Sequence, residues 1–255
     1  MAVSALPFAI FVFFATALAA LLGFLLQRSV PRKYTDETTA GNVKAMLGMF
    51  SMLSTVVLGF VTVEAKNSFD HASKVVSDTA VRLVAIDRVL ADFGEDAATL
   101  RRRIKDAAQA WITRINSPEG DKKTDRVVVE RGEALENLVD EIKSLKPQSE
   151  AQADDKARAA EFAVGILHDR WMLQTERAAS TPTVFLFVVL AWLALEFFVF
   201  GLFVSHNAMV ILAELVGALI VASAMFLVLD LEGVTTGPMR ISTGSLERAV
   251  ALMGQ

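Results

Sequence analysis

Long runs of apolar residues alternate with polar segments along this chain. A helix needs about 20 predominantly apolar residues to cross the hydrocarbon core of a bilayer. No Lys or Arg precedes the first run, and it is longer than the apolar core of a typical signal peptide, so we interpret it as a retained span. The pattern therefore predicts an all-α integral membrane protein with four transmembrane helices, which cover Ala5 to Leu26, Ala45 to Val63, Thr183 to Val204 and Ala208 to Leu229.

The connections between these spans predict two helical hairpins with a helical-bundle domain inserted between spans two and three. A polar connection joins the first two spans, whereas only Ser205, His206 and Asn207 separate the last two, which requires a tight turn. An even number of spans places both termini on one side of the membrane, and the inserted domain must lie on that side too. The predicted divisions are a first hairpin, a polar helical domain, a second hairpin and a C-terminal tail, at residues 1–64, 65–181, 182–230 and 231–255.

The inserted domain has the periodicity of helices that pack together. From Phe69 to Phe93, apolar or small residues recur every three or four positions, which is typical of a bundle or coiled-coil helix, and this helix continues the second span. Gly94 interrupts the pattern. The segments that follow predict four more helices: one with Leu100 to Ile115 on its apolar face, one from Thr124 to Leu145, one from about Asp155 into the third span, and a short amphipathic one from Ser245 to Met253.

Composition supports a membrane protein and excludes several functions. The chain is 53% hydrophobic and 21% charged, and its mean hydropathy of +0.45 is too apolar for an ordinary soluble domain. Its Lys and Arg residues lie among Asp and Glu, with a net charge of -4, so no uniformly basic face predicts a nucleic-acid partner. The absence of cysteine excludes disulfides, thiolate metal sites and thiol catalysis.

Charge predicts the orientation of the spans only weakly. The first connection carries four Lys or Arg residues, and the other membrane ends carry a similar number, so the positive-inside rule gives a near tie. The uncharged N-terminus by itself favours a start outside the cell.

One stripe of the second span is small and hydroxylated. In a symmetric oligomer such a stripe could line a pore, with hydroxyls replacing part of an ion's hydration and a lysine at each mouth attracting anions. The commoner use of small and hydroxyl residues in membrane helices is helix packing, and lysines at helix ends also snorkel to the interface, so both interpretations stay open. Its members lie within about 40° of one line on a helical wheel: Lys44, Gly48, Ser51, Thr55, Leu58, Thr62 and Lys66.

Two acids fall inside predicted hydrocarbon, Glu196 in the third span and Glu214 in the fourth. Counted from His206 they lie at nearly the same depth, so they could pair and share a proton or a cation. The alternative is that each acid is separately protonated or bonded to a neighbouring helix or subunit. We favour this alternative because the sequence shows no transport motif.

The sequence contains no pattern that predicts catalysis, a metal site or a cofactor. There is no phosphate-binding glycine loop, no HExxH and no G-x-S-x-G. The three histidines are scattered, and the run Arg101-Arg102-Arg103 is typical of a solvated helix face. We therefore expect a protein that is not an enzyme.

Several segments resemble the bestrophin-like membrane proteins of bacteria, which are named for a distant similarity to bestrophin anion channels. The chain departs from that family's pattern after the last span, where it has Leu231-Glu232-Gly233 in place of Pro-Phe. The resemblance covers most of the chain and rests on these residues: Leu58-Gly59-Phe60 followed by Glu64, Phe200-Gly201-Leu202-Phe203 followed by Asn207, and Leu229-Asp230 with Gly237 and Ile241-Ser242.

This resemblance implies a ring-shaped homo-oligomer, a pentamer, in the bacterial inner membrane. It implies that the second span lines a central pore, with Leu58 as the apolar constriction and Thr55 and Thr62 one turn either side. It also implies that the polar domain and both termini are cytoplasmic, which overrides the weak orientation from charge.

Three functions are compatible with these features. The first is an oligomeric channel for inorganic ions, most of all anions. The second is a stator-like, proton-coupled membrane subunit that uses Glu196 or Glu214, although the motifs of such proteins are absent. The third is a membrane receptor or scaffold in which the inserted domain binds a ligand.

Overall fold

The computed structural model describes residues 5–27, 29–31, 37–116, 137–178, 183–203, 207–233 and 238–254. Within these ranges the chain is predominantly helical and contains no β-strand. The described residues form eight α-helices, in this order: α1 (Ala5–Gln27), α2 (Glu37–Phe93), α3 (Ala98–Asn116), α4 (Leu138–Ser144), α5 (Glu150–Ala178), α6 (Thr183–Phe203), α7 (Ala208–Glu232) and α8 (Gly244–Leu252).

Four of these helices, α1, α2, α6 and α7, are long and apolar enough to cross a membrane. They coincide with the four segments expected from the sequence, so this prediction is confirmed. The second predicted span lies inside α2, which runs as one uninterrupted helix of 57 residues from Glu37 to Phe93. The predicted continuation of the second span into the polar domain is therefore confirmed as well.

The chain divides into two compact units, and the first consists of Met1–Ser68 and Ser180–Gly233. In this unit α1 packs against both α6 and α7. The packed face of α1 carries Phe8, Val12, Thr16, Ala20 and Gly23. The buried Thr16 hydroxyl lies 2.9 Å from the carbonyl oxygen of Val12, which satisfies it within its own helix.

The other faces of these helices are apolar and exposed. On α1, Leu6 and Phe14 keep more than 60% of their surface accessible, and on α7 so does Ile220. Exposure of so large an apolar surface to water is energetically unfavourable, whereas contact of the same surface with lipid is favourable. The exposure pattern is thus that of a membrane-embedded unit.

The second unit consists of Phe69–Ala179 and Val234–Gln255 and has a core of its own. The predicted 3,4 seam of α2 is buried in it, with Leu83, Ile86 and Leu90 at most 1% exposed. Ile104 of α3, Ile142 of α4 and Leu246 of α8 belong to the same core, which explains why these short or polar helices form.

Most helix boundaries in this unit lie within a few residues of those predicted from the sequence. Gly94 ends α2 with a φ of 106°, a left-handed value that glycine adopts without strain. Helix α3 matches the predicted second helix, α5 begins at Glu150 instead of about Asp155, and α8 begins one residue earlier than predicted.

Some predictions fall on parts of the chain outside the described residues. These are the start of a helix at Thr124, the passage of α5 into the third span, the turn at Ser205 and His206, and Gly237. Of the predicted helix from Thr124 to Leu145, the structure describes only α4.

Candidate functional site on helix α2

Helix α2 has a buried face and an open one within the first unit. The buried face carries Leu47, Ser54, Val61 and Ala65, none of which is more than 8% exposed. Their spacings of seven, seven and four residues place them on one line along the helix. At Ser54 this face contacts Glu196 of α6.

The predicted hydroxyl stripe lies about 80° around the helix from this buried face. Lys44, Gly48, Thr55 and Lys66 are exposed. A Cβ atom added at Gly48 would meet nothing within 4 Å. The remaining three members, Ser51, Leu58 and Thr62, are half-buried and border the packed face. Packing within one chain therefore covers only one edge of the stripe.

The two threonine hydroxyls of the stripe are satisfied by their own helix. Thr55 Oγ1 donates to the carbonyl oxygen of Ser51 at 2.8 Å, and Thr62 Oγ1 donates to that of Leu58 at 2.8 Å. In this arrangement each hydroxyl presents only oxygen lone pairs to its surroundings. To donate to an anion, each hydroxyl must first rotate away from the backbone.

Glu196 of α6 is bonded to α2. Ser51 Oγ donates to Glu196 Oε2 at 3.4 Å, and Ser54 Oγ donates to Glu196 Oε1. Both carboxylate oxygens thus accept from hydroxyls one turn apart on the neighbouring helix. Of the alternatives that the sequence left open, the structure shows Glu196 bonded to a neighbouring helix.

Sequence reasoning missed Ser54, because it lies off the stripe. A signal was present, since an intramembrane carboxylate needs donors and Ser51 and Ser54 form an i, i+3 pair on a span. The other intramembrane acid, Glu214, is half-buried on α7. Within the described residues, no group of three or more His, Asp or Glu side chains is placed to hold a metal ion.

The second unit contains a buried ion pair that joins α2 to α3. Asp87 is 2% exposed, and its carboxylate accepts from Arg101 Nε at 2.8 Å and Nη2 at 2.9 Å. Burial alone would raise the pKa of Asp87, but the hydrogen bonds from Arg101 and from the backbone N–H of Gly254 hold that pKa below its ordinary value. The interpretation of Arg101 as a solvated residue is therefore wrong, whereas Arg102 is exposed.

The residues that follow α8 are hydrogen-bonded to Asp87 and to a lysine of α3. Gly254 N donates to Asp87 Oδ2 at 3.0 Å, and Lys105 Nζ donates to the carbonyl oxygen of Met253 at 2.7 Å. Met253 itself is 1% exposed. The residues after α8 are thus fixed to α2 and α3 by both polar and apolar contacts.

The hydroxyl stripe and the Glu196 contact both lie in a region that matches a known family. The sequence model of the Bestrophin-like domain matches residues 13–246, which is most of the chain. The chain belongs to the Bestrophin-like family. The resemblance noted from short sequence segments is thereby confirmed. No curated protein matches this chain, and no solved structure does.

Proposed function

We propose that this Bestrophin-like protein is an oligomeric ion channel that conducts anions, with α2 lining its pore. The observation that carries the proposal is the hydroxyl stripe, because packing within the chain leaves most of it open. Small and hydroxylated residues with a lysine at each end gain nothing from contact with lipid tails. Around a shared axis, the same residues would border water and ions.

Each part of the stripe has a role in this proposal. Lys44 and Lys66 are both exposed and raise the anion concentration at the two mouths. The hydroxyls of Thr55 and Thr62 replace part of an ion's hydration once they rotate to donate. Leu58, one turn from each threonine, forms the apolar constriction. Ions pass it only when water fills the pore at that level.

One stripe on one helix cannot enclose a pore, so the proposal requires several copies of the chain. The family resemblance favours a homopentamer in the bacterial inner membrane, with each chain forming two hairpins and with the polar domain and both termini in the cytoplasm. Reporter fusions at the C-terminus test this topology. A cytoplasmic signal supports it, whereas an extracytoplasmic signal would favour a receptor whose polar domain binds an external ligand.

Conductance of the purified protein in planar bilayers tests the channel itself. We expect anion currents from the wild-type protein and larger unitary currents from Leu58→Ala, because removal of the constricting side chain favours wetting. Leu53→Ala is the matched control, since it makes the same truncation on an exposed face about 140° from Leu58. Absence of current from all three proteins, over a range of salts and pH, would contradict the proposal.

A proton-coupled membrane subunit is the second candidate, and one observation favours it. Glu196 is bonded to another span, so gain or loss of its proton would change a contact between α2 and α6. Proton uptake into liposomes with an imposed potential tests this function. It predicts uptake by the wild-type protein and none by Glu196→Gln, with assembly unchanged.

A further inference from the structure

Glu196 places an ionisable group against the edge of the hydroxyl stripe. Its two oxygens accept from Ser51, which belongs to the stripe, and from Ser54, which is 8% exposed on the adjoining buried face. Both oxygens act as hydrogen-bond acceptors in this arrangement, as those of an ionised carboxylate do. The proposed pore therefore has a negative charge in reach of its lining, well inside the membrane.

We propose that Glu196 sets the charge selectivity of the pore, because its negative charge lowers the permeability to anions relative to that to cations. This inference rests on the proposed channel function, because it requires the stripe of α2 to face the ions. It assigns to α6 a residue that controls permeation without belonging to the stripe.

Two effects of the ionised carboxylate act in the same direction. Its charge repels anions directly at the level of Ser51, and in a ring every subunit contributes one such charge at that level. It also accepts a hydrogen bond from the Ser51 hydroxyl, which leaves only oxygen lone pairs of that hydroxyl to face the stripe. The neighbouring Thr55 hydroxyl donates to the backbone, so neither hydroxyl offers a donor to an anion.

Neutralisation reverses both effects. Glu196→Gln carries no charge at this position, and its amide N–H can donate a hydrogen bond, which frees a serine hydroxyl to turn toward the stripe. The attraction of the two end lysines for anions is then no longer opposed by a charge on α6. Anion permeability should rise relative to cation permeability.

Along the described helices of the first unit, few other titratable groups could produce the same effect. Between Ala5 and Gln27 helix α1 has none, and in α6 Glu196 is alone. On α2 the nearest are Lys44, about two turns from Ser51, and Glu64, nearly three turns from Ser54. Helix α7 contributes Glu214, and also Asp230 and Glu232 at its far end. Glu214 is therefore the matched control for an intramembrane acid.

Reversal potentials under a KCl gradient measure the effect. Purified protein is reconstituted into planar bilayers, and the chloride-to-potassium permeability ratio is compared among wild type, Glu196→Gln and Glu214→Gln. We expect Glu196→Gln to raise the ratio at least about fivefold at neutral pH, as removal of a nearby charge in a medium of intermediate polarity predicts. Glu214→Gln should leave it within about twofold of wild type.

Two further substitutions at the same position complete the test. Glu196→Asp keeps the charge and should leave the ratio within about twofold of wild type. If Glu196→Gln does not assemble, Glu196→Ala removes the same charge: a raised ratio supports the role of Glu196, and an unchanged ratio overturns it.

The outcomes separate this inference from the function on which it rests. Currents with equal selectivity in wild type and Glu196→Gln overturn the role of Glu196 and leave the channel standing. No current from the wild-type protein overturns the channel, and the selectivity role is lost with it. A purely structural role for Glu196 would change the number of active channels or their conductance, but not the reversal potential.

Discussion

Gly201 of α6 lies directly against the backbone of Ala20 in α1, and a Cβ atom at Gly201 would collide with the Ala20 carbonyl oxygen. The contact is reciprocal. A Cβ atom at Gly23 would collide with the Phe198 carbonyl oxygen and lie 3.0 Å from Leu202 N. The first and third transmembrane helices thus cross at two glycines, which permit the close backbone approach that stabilises helix pairs in membranes.

Gly201→Val should separate these two helices. Because the obstacle is backbone and not a flexible side chain, we expect a loss of about 2 kcal/mol or more in the stability of the first unit. Thermal unfolding of the detergent-solubilised protein measures it. Gly59→Val is the matched control, since a Cβ atom there meets nothing within 4 Å. An equal change in melting temperature for both variants would contradict the close crossing.

The ion pair between Asp87 and Arg101 should make the second unit sensitive to acid. The pKa of Asp87 is lowered in the folded protein, so its contribution is fully present above its unfolded value, near 3.8, and is lost as pH falls through the folded value. Asp87→Asn should cost about 3 kcal/mol at neutral pH, because it leaves Arg101 without its charge partner. Below about pH 4 the wild type should lose stability as Asp87 is protonated, and the variant should lose less over the same pH range.

Thermal unfolding at neutral and acidic pH checks both statements. Asp92→Asn, an exposed aspartate one turn and a half along the same helix, is the control and should stay close to wild type. If the wild type and Asp87→Asn lose the same stability at low pH, other titratable side chains cause that loss.

A second buried aspartate joins α2 to α5. Asp169 accepts from the Thr79 hydroxyl at 3.0 Å and forms an ion pair with Arg82 at 3.0 Å. The single proton of Thr79 also has the Val75 carbonyl oxygen within 2.9 Å, so it is shared between two acceptors. Thr79→Val removes that proton and should lower the free energy of unfolding by about 1.5 kcal/mol.

The measurement is again thermal unfolding, with Ser77→Ala as the control because Ser77 is exposed on the same helix. A Thr79→Val protein as stable as Ser77→Ala would mean that Arg82 alone satisfies Asp169. Hydrogen exchange of α5 amides would locate any loss at the predicted contact.

The sequence predicts best what depends on local periodicity. Apolar length alone indicates the four spans, and the 3,4 repeat of α2 indicates the buried seam of Leu83, Ile86 and Leu90, because a regular helix fixes which residues share a face. The end of α2 at Gly94 follows from one glycine.

Contacts between helices depend on the register of the partner, which no local pattern determines. The crossing at Gly23 and Gly201, the bond from Ser54 to Glu196 and the pair of Asp87 with Arg101 each join residues distant in sequence. Charge patterns were misleading for the same reason: the arginine run suggests a solvated face, yet the turn after Gly94 brings Arg101 onto a buried carboxylate.

The most direct test of the central claim is the accessibility of Thr55 to a charged thiol reagent in an open channel. The chain has no cysteine, so Thr55→Cys and Leu53→Cys each carry a single reactive site. Leu53 is 47% exposed and lies about 160° around α2 from Thr55. If α2 lines the pore, a negatively charged methanethiosulfonate should block the Thr55→Cys current irreversibly and leave the Leu53→Cys current unchanged. Block of Leu53→Cys with no effect on Thr55→Cys would place the other face of α2 toward the ions and contradict the account.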